Sequence, residues 1–217
     1  MSNKCKRLMA FLLMCVLAVL SLAGCGSKKD AQDAYENLNS ASDMVTDWGT
    51  DIYQIWLVTS SGSFKDFDDI CDQVHGLTRD ELIDGLIGYL RIHATDWTED
   101  SVDTVKEHPG AIVVLATQTF DCEVFDVCVE MVVQAYIENG KSDQIKSYLD
   151  NAKEEIKKCN DSKSYYASLK EYYNTVNSYY AFCQQPQGSL DQVETTLNDY
   201  HNKMRDCKND LELDLEK

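Results

Sequence analysis

The stretch SLDQVETTLNDYHNKMRDCKNDL, residues 189–211, decides the fold class. Its apolar positions are Leu190, Val193, Leu197, Tyr200, Met204, Cys207 and Leu211, spaced alternately three and four apart. An α-helix turns once every ~3.6 residues, so this alternation keeps all of them on one face. A seam of that width is what a helix presents to other helices. Ser189 and Gln192 form a capping-box pattern that marks its start. The acids Asp210, Glu212, Asp214 and Glu216 oppose the helix dipole at its end, which predicts fraying there.

The same alternation recurs upstream. Ala34, Leu38, Ala41, Val45, Trp48, Ile52 and Ile55 make one seam, ended by Ser61-Gly62-Ser63. Ile145, Leu149, Ala152, Ile156 and Cys159 make another, with Ser142 as its cap. After a kink or interruption at Asn160-Asp161-Ser162 it resumes through Tyr166, Leu169, Tyr173, Val176, Tyr180 and Cys183. Residues 111–139 are the most apolar stretch. The valines near its start suit a strand, but its length favours one central buried helix, ended by Asn139-Gly140.

Residues 64–108 read differently. Phe64, Phe67, Cys71 and Val74 fit a short amphipathic helix stopped by Gly76. Thr78 and Glu81 then make a capping box, with Leu77 and Leu82 as a hydrophobic staple around it. Gly85 and Gly88 inside the helix that follows each cost ~1 kcal/mol relative to alanine, which suggests close approach of another element. His108-Pro109-Gly110 is a break.

Four long helical segments result, about 30–59, 111–139, 142–184 and 189–213. Short connections make neighbours antiparallel. The expected fold is all-α, an antiparallel bundle of about four long helices with extra short helices in residues 64–108. The two prolines, Pro109 and Pro186, both fall in breaks between helices.

The N-terminus carries a different message. Lys4, Lys6 and Arg7 precede an apolar run from Leu8 to Leu20, followed by Leu22-Ala23-Gly24-Cys25. A basic region, a short apolar core and small residues before a cut site are the marks of an export signal. The run is shorter than the ~20 residues of a membrane-spanning helix. The tetrad resembles the lipobox of bacterial lipoproteins. The resemblance implies cleavage before Cys25 and a diacylglycerol on its thiol, whose two acyl chains suffice for stable anchoring. The expected organisation is a signal peptide at 1–24, a lipidated Cys25 with a short tether to residue 29, and a helical domain from 30 to 217. The domain is then held on the extracytoplasmic face of a membrane, which is the outer membrane or periplasm where the source has two membranes. Gly188-Ser189-Leu190-Asp191-Gln192 and Leu197-Asn198-Asp199-Tyr200 also look like segments of bacterial lipoproteins without an assigned function, which supplies no activity.

The chain has 217 residues and a net charge of −17. Its leader holds three cations and no acid, so the mature domain would carry −20. Such acidity argues against nucleic-acid binding, which needs a basic footprint.

No catalytic constellation stands out. His75, His93, His108 and His201 lack metal-ligand spacing, and no C-x-x-C occurs. No metal, no cofactor and no enzymatic activity are expected. Asp66, Asp68, Asp69 and Asp72 lack the glycine and terminal glutamate of a calcium loop and read as a solvated helix start. Gly140-Lys141-Ser142 imitates the end of a phosphate-binding loop, but Ala135 stands where its first glycine belongs, so it reads as a turn between helices. Cys71, Cys122, Cys128, Cys159, Cys183 and Cys207 allow fifteen pairings, and buried thiols explain them as well as bridges do. Cys122 and Cys128, placed on one helix about 9 Å apart, are too distant to bond.

The most unusual local feature is a doublet repeated every seven residues: Tyr165-Tyr166, Tyr172-Tyr173 and Tyr179-Tyr180. The seam takes Tyr166, Tyr173 and Tyr180. Tyr165, Tyr172 and Tyr179 then flank it, half buried with wet hydroxyls, and become candidate binding residues for a partner. The expected function is protein binding or scaffolding at the cell envelope by a lipid-anchored bundle. Small-ligand sensing and sequestration of cationic peptides are the alternatives.

Overall fold

The structure, a computed structural model, describes residues 3–60, 66–95, 97, 98 and 101–216, with side chains described from Lys28 onward. Cys25 and the leader therefore lie outside the residues whose side chains are described, as does Phe64. Among the described residues the regular secondary structure is all helix, with no strand. The elements are α1 (Asn3–Ser60), α2 (Phe67–Cys71), α3 (Arg79–His93), α4 (Ser101–Glu107), α5 (Pro109–Phe120), α6 (Val124–Glu138), α7 (Lys141–Lys158), α8 (Ser164–Gln184) and α9 (Leu190–Leu215). The expected all-α bundle is what forms, with more and shorter helices than the periodicity implies.

Helix α1 is its hub, packing against α6, α7, α8 and α9. The seven seam residues from Ala34 to Ile55 are all fully buried. Burying a side chain the size of Leu or Ile yields about 1.5–3 kcal/mol, so this seam is a main source of cohesion. Lys28 and Lys29, expected in a tether, lie exposed on α1.

The capping boxes at Thr78 with Glu81 and at Ser189 with Gln192 form as the sequence implies. Asp66 caps α2 by accepting from the backbone N–H groups of Asp68 and Asp69. Gly140 turns the chain from α6 into α7 with a φ of 70°.

Four expectations need correction. Residues 111–139 are two helices. Asp121 adopts the left-handed conformation with a φ of 52°, and Glu123 opens α6 in a capping box with Asp126. Asp121 and the Glu123–Asp126 pair are the stop and start signals of two helices. Cys122 accordingly sits in the corner and does not share α6 with Cys128. Residues 142–184 also divide, into α7 and α8. Asn160 Oδ1 accepts from the Ser162 N–H at 2.9 Å and from its hydroxyl at 2.7 Å, a local turn that competes with helix. Ser142 is no cap. It is buried on α7, with its hydroxyl 3.0 Å from Tyr180 Oη. Finally, α9 runs on to Leu215. Buried Leu211 and Leu215 hold its end, and Tyr35 donates to Glu212 at 2.8 Å.

The corner at Asp121 is testable. A β-branched residue in the left-handed region costs about 1–2 kcal/mol, whereas Asp tolerates it and Gly adopts it freely. Asp121→Val is expected to lower the urea midpoint by that amount, and Asp121→Gly to hold or raise it.

The two ends of the bundle differ. One gathers α1 around residues 30–39, the last turns of α7 and α9 and the first half of α8, with Tyr35 donating to Glu212 at 2.8 Å, Tyr172 donating to Asn39 at 3.0 Å and Lys158 near Asp30. At the other, Trp56 stacks on Phe125 at 5.5 Å, beside Gln184 and Pro186. Helix α3 lies along α6 and packs with α4 and α5. The ends of α3 and α5 meet near the start of α6, where His93 reaches Glu130 and packs by Phe120, so the three make a side lobe toward this second end.

Candidate functional site

The tyrosine doublets are the first candidate, and the structure buries the three flanking tyrosines while, of the three seam tyrosines, only Tyr180 is buried as expected. Tyr165, Tyr172 and Tyr179 are buried, while Tyr166 and Tyr173 are only half buried. The reason is that α8 packs against α1, α7 and α9 at once, so its buried stripe is wider than a two-helix seam. Tyr179 Oη meets His201 Nε2 at 3.1 Å, and its ring stacks on Tyr200 at 4.8 Å. Burial pushes both Tyr172 and Tyr179 up, Tyr172 to about 12, and holds His201 below its usual range. These three tyrosines are interior packing, with the hydroxyls of Tyr172 and Tyr179 hydrogen-bonded, and they offer little surface to a partner.

A buried carboxylate is the second candidate. Asp51 on α1 is 1% exposed. Its Oδ1 accepts from His75 N–H at 2.9 Å, and its Oδ2 accepts from Gly76 N–H at 3.0 Å and Tyr136 Oη at 2.9 Å. Burial drives its carboxyl above the ordinary aspartate range, and those three donors pull it partway back. The Tyr136 ring stacks on Trp48 at 4.8 Å. Around the same loop Lys141 donates to the Gly76 carbonyl and pairs with Glu81 at 3.0 Å. Burial pushes Glu81 up, but the Thr78 N–H and Lys141 outweigh it, so Glu81 titrates below its usual range. Three donors on one carboxylate fill its main accepting directions and leave little for a ligand. The cluster is a clasp that fixes the loop between α2 and α3 on α1.

A third cluster joins α3 to the corner between α5 and α6. His93 Nε2 lies 2.8 Å from Glu130 Oε1, and Tyr89 stacks on His93 at 4.5 Å. Tyr89 Oη is 4.0 Å from Cys122 Sγ. Burial first, and Cys122 next, push the Tyr89 hydroxyl well up, so it keeps its proton and is no base for the thiol. This constellation lacks the nucleophile-to-base contact that covalent catalysis needs.

The fourth candidate is a cleft of about 420 Å³ between α3, α4 and α5. Leu90, Trp97, Val105, Ile112, Leu115 and Phe120 supply its apolar walls. Leu115 is 55% exposed and its neighbour Val114 43%. Large apolar side chains left open beside a cleft commonly mark a binding surface. Gly85 and Gly88 do not shape this cleft. They face α6, where Met131, Gln134, Ala135 and Glu138 fill the space. The cleft was not legible from periodicity, because it depends on how three short helices converge. Its one sequence signal is a helix, residues 109–120, without a single charge.

Trp56 is buried and Trp97 half buried. Among the described residues no two cysteines are bridged, and Cys128, Cys159, Cys183 and Cys207 are buried. Burial raises the thiols of Cys128 to about 12 and of Cys159 and Cys207 to about 11, which makes them poor nucleophiles. Among the described residues no three His, Cys, Asp or Glu side chains gather as a metal site would require. From Lys28 onward no described helix is long and apolar enough to cross a membrane. Comparison with protein families, with curated proteins and with solved structures gives no match for the chain.

Proposed function

We propose that this chain is a lipid-anchored extracytoplasmic lipoprotein whose helical bundle binds a protein partner at the cell envelope. The lipobox-like tetrad ending in Cys25 supports the anchor. The observation that carries the binding role is the position of the open apolar cleft. It lies toward the end of the bundle where α1 finishes, and the anchor would be at the other. From Lys28 to Trp56 α1 rises about 40 Å at 1.5 Å per residue. A bundle of this kind holds its apolar lobe away from the bilayer, where a partner can reach it.

A small apolar ligand is the second reading. It is favoured by the cleft's volume, which falls in the range of ligand pockets. A thermal-shift screen separates the two. A ligand that raises the melting temperature and no partner protein on cross-linking would favour the pocket.

The anchor has its own test. Cys25→Ala is expected to accumulate as uncut precursor or to appear in the soluble fraction. A Cys25→Ala protein that is cut normally and stays with the membrane would remove the lipid from this reading.

A further inference from the structure

The outward side of α5 runs against the composition of the rest of the chain. Charged residues make up 26% of the protein and none of residues 109–120. Ala111, Val114, Leu115 and Gln118 all face solvent. Their spacing of three, one and three residues is one face of a helix. This is the pattern that a helix uses to seat another helix, and no other described helix covers it.

The stripe adjoins the cleft, because Leu115 belongs to both. Its surroundings are acidic. Asp103 and Glu107 are exposed on α4, alongside α5, with Lys106 as the cation between them and His108 Nε2 4.0 Å from Glu107. Asp121, Glu123 and Asp126 are exposed at the corner that follows α5. An apolar stripe with acids alongside and at its end has a defined complement. We propose that the α5 stripe and its cleft dock a cationic amphipathic helix of a partner protein. The apolar face of that helix would cover Val114 and Leu115 and enter the cleft, and its lysines or arginines would meet Asp103, Glu107, Asp121 and Glu123. The proposal rests on the protein-binding reading above and names the partner's chemistry.

Two other occupants fit worse. A second copy of the chain would bring the mature domain's charge of −20, the −17 of the whole chain less the leader's three cations, against the same charge. An anionic bilayer would be repelled by the five exposed acids around the stripe.

The test uses the full chain in zwitterionic nanodiscs, with empty discs subtracted. The probe is a labelled synthetic Leu/Lys amphipathic helix of about four turns, alongside a scrambled peptide of equal charge. The decisive variant is Val114→Asp with Leu115→Asp, which makes the protein more acidic while removing the apolar contact. It is expected to bind the helical probe about tenfold more weakly or worse, a loss typical of a central apolar anchor. Asp121→Asn with Glu123→Gln is expected to weaken binding at low salt and much less at high salt. Leu213→Asp, on α9, is expected to change nothing. Both altered α5 residues are exposed, so melting should match the parent; Val114→Ser with Leu115→Ser gives a second reading if it does not.

Equal or tighter binding by the doubly acidic variant would overturn the proposal, because attraction would then be charge alone. Equal binding of the scrambled peptide would do the same. A dimer in sedimentation that this variant dissociates would assign the stripe to a second copy and also overturn it. Failure of the proposal is separable from failure of the protein-binding reading. In cells, photo-cross-linkers at Glu36, Leu115 and Asn198 that capture a protein only away from position 115 would sink the α5 site alone. Capture of none from any position would sink both.

Discussion

Asp51→Ala is expected to cost about 3 kcal/mol of folding stability, because it strands one buried and two partly buried donors at once. These are the N–H groups of His75 and Gly76 and the hydroxyl of Tyr136. Domains are stable by only about 5–15 kcal/mol, so a melting curve should shift by many degrees or lose cooperativity. Asp51→Asn keeps an acceptor for the N–H groups and a donor for Tyr136 Oη, and should cost only about 1–2 kcal/mol. The pH dependence has a definite sign. Burial raises Asp51 above its ordinary value of 3.8. A group raised by folding contributes fully below its unfolded pKa and loses that contribution as pH climbs through the folded value. The advantage of the parent over Asp51→Asn should therefore shrink as pH rises from about 3.8 through that folded value. An advantage that grows over this span would mean that the three donors, not burial, dominate the carboxyl.

Gly85 and Gly88 on α3 are expected to respond to alanine in opposite directions. A Cβ at Gly85 would collide with the backbone carbonyl of Met131 and crowd Ala135 on α6. A backbone atom in a packed helix cannot step aside, so Gly85→Ala must push α3 off α6. A loss of about 3 kcal/mol is expected, the upper part of the usual overpacking range. At Gly88 the nearest atom is Glu138 Cγ at 3.1 Å, the flexible stem of an exposed side chain. Glu138 can move, and alanine is worth up to ~1 kcal/mol over glycine inside a helix. Gly88→Ala should be neutral or stabilising. Chemical denaturation of the two variants side by side checks the pair. Equal losses at both positions would show that helix propensity and packing are weighed wrongly here.

Elements whose signals are local could be read directly. The seam from Ala34 to Ile55, the caps at Thr78 and Ser189 and the turn at Gly140 each depend on residues within a few positions of one another. What could not be read depends on neighbours distant in the chain. Tyr165, Tyr172 and Tyr179 share α8 with a plausible seam one residue away, and only three surrounding helices decide which face is buried. Asp121, Glu123 and Asp126 lie inside the most apolar stretch of the chain, where length alone favours one helix. They form a corner because α5 must turn away from α6 to join α3 and α4. Asp51 carries no mark in a chain with 37 acids. Its partners at His75, Gly76 and Tyr136 lie 24 to 85 positions away. The cleft is of the same kind. Residues 109–120 read as buried because they are apolar, and half of that inference holds: Pro109, Val113 and Ala116 are buried while Val114 and Leu115 are not.

The most direct test of a lipid-held bundle working through its α5 lobe is photo-cross-linking in the cells that make it. A photoreactive residue replaces Leu115 in one strain and Glu36, near the proposed anchor, in another. The account predicts a discrete protein adduct from position 115 that Val114→Asp abolishes and that position 36 does not form. Lipid adducts from position 115, or the same protein captured from both positions regardless of Val114→Asp, would contradict it.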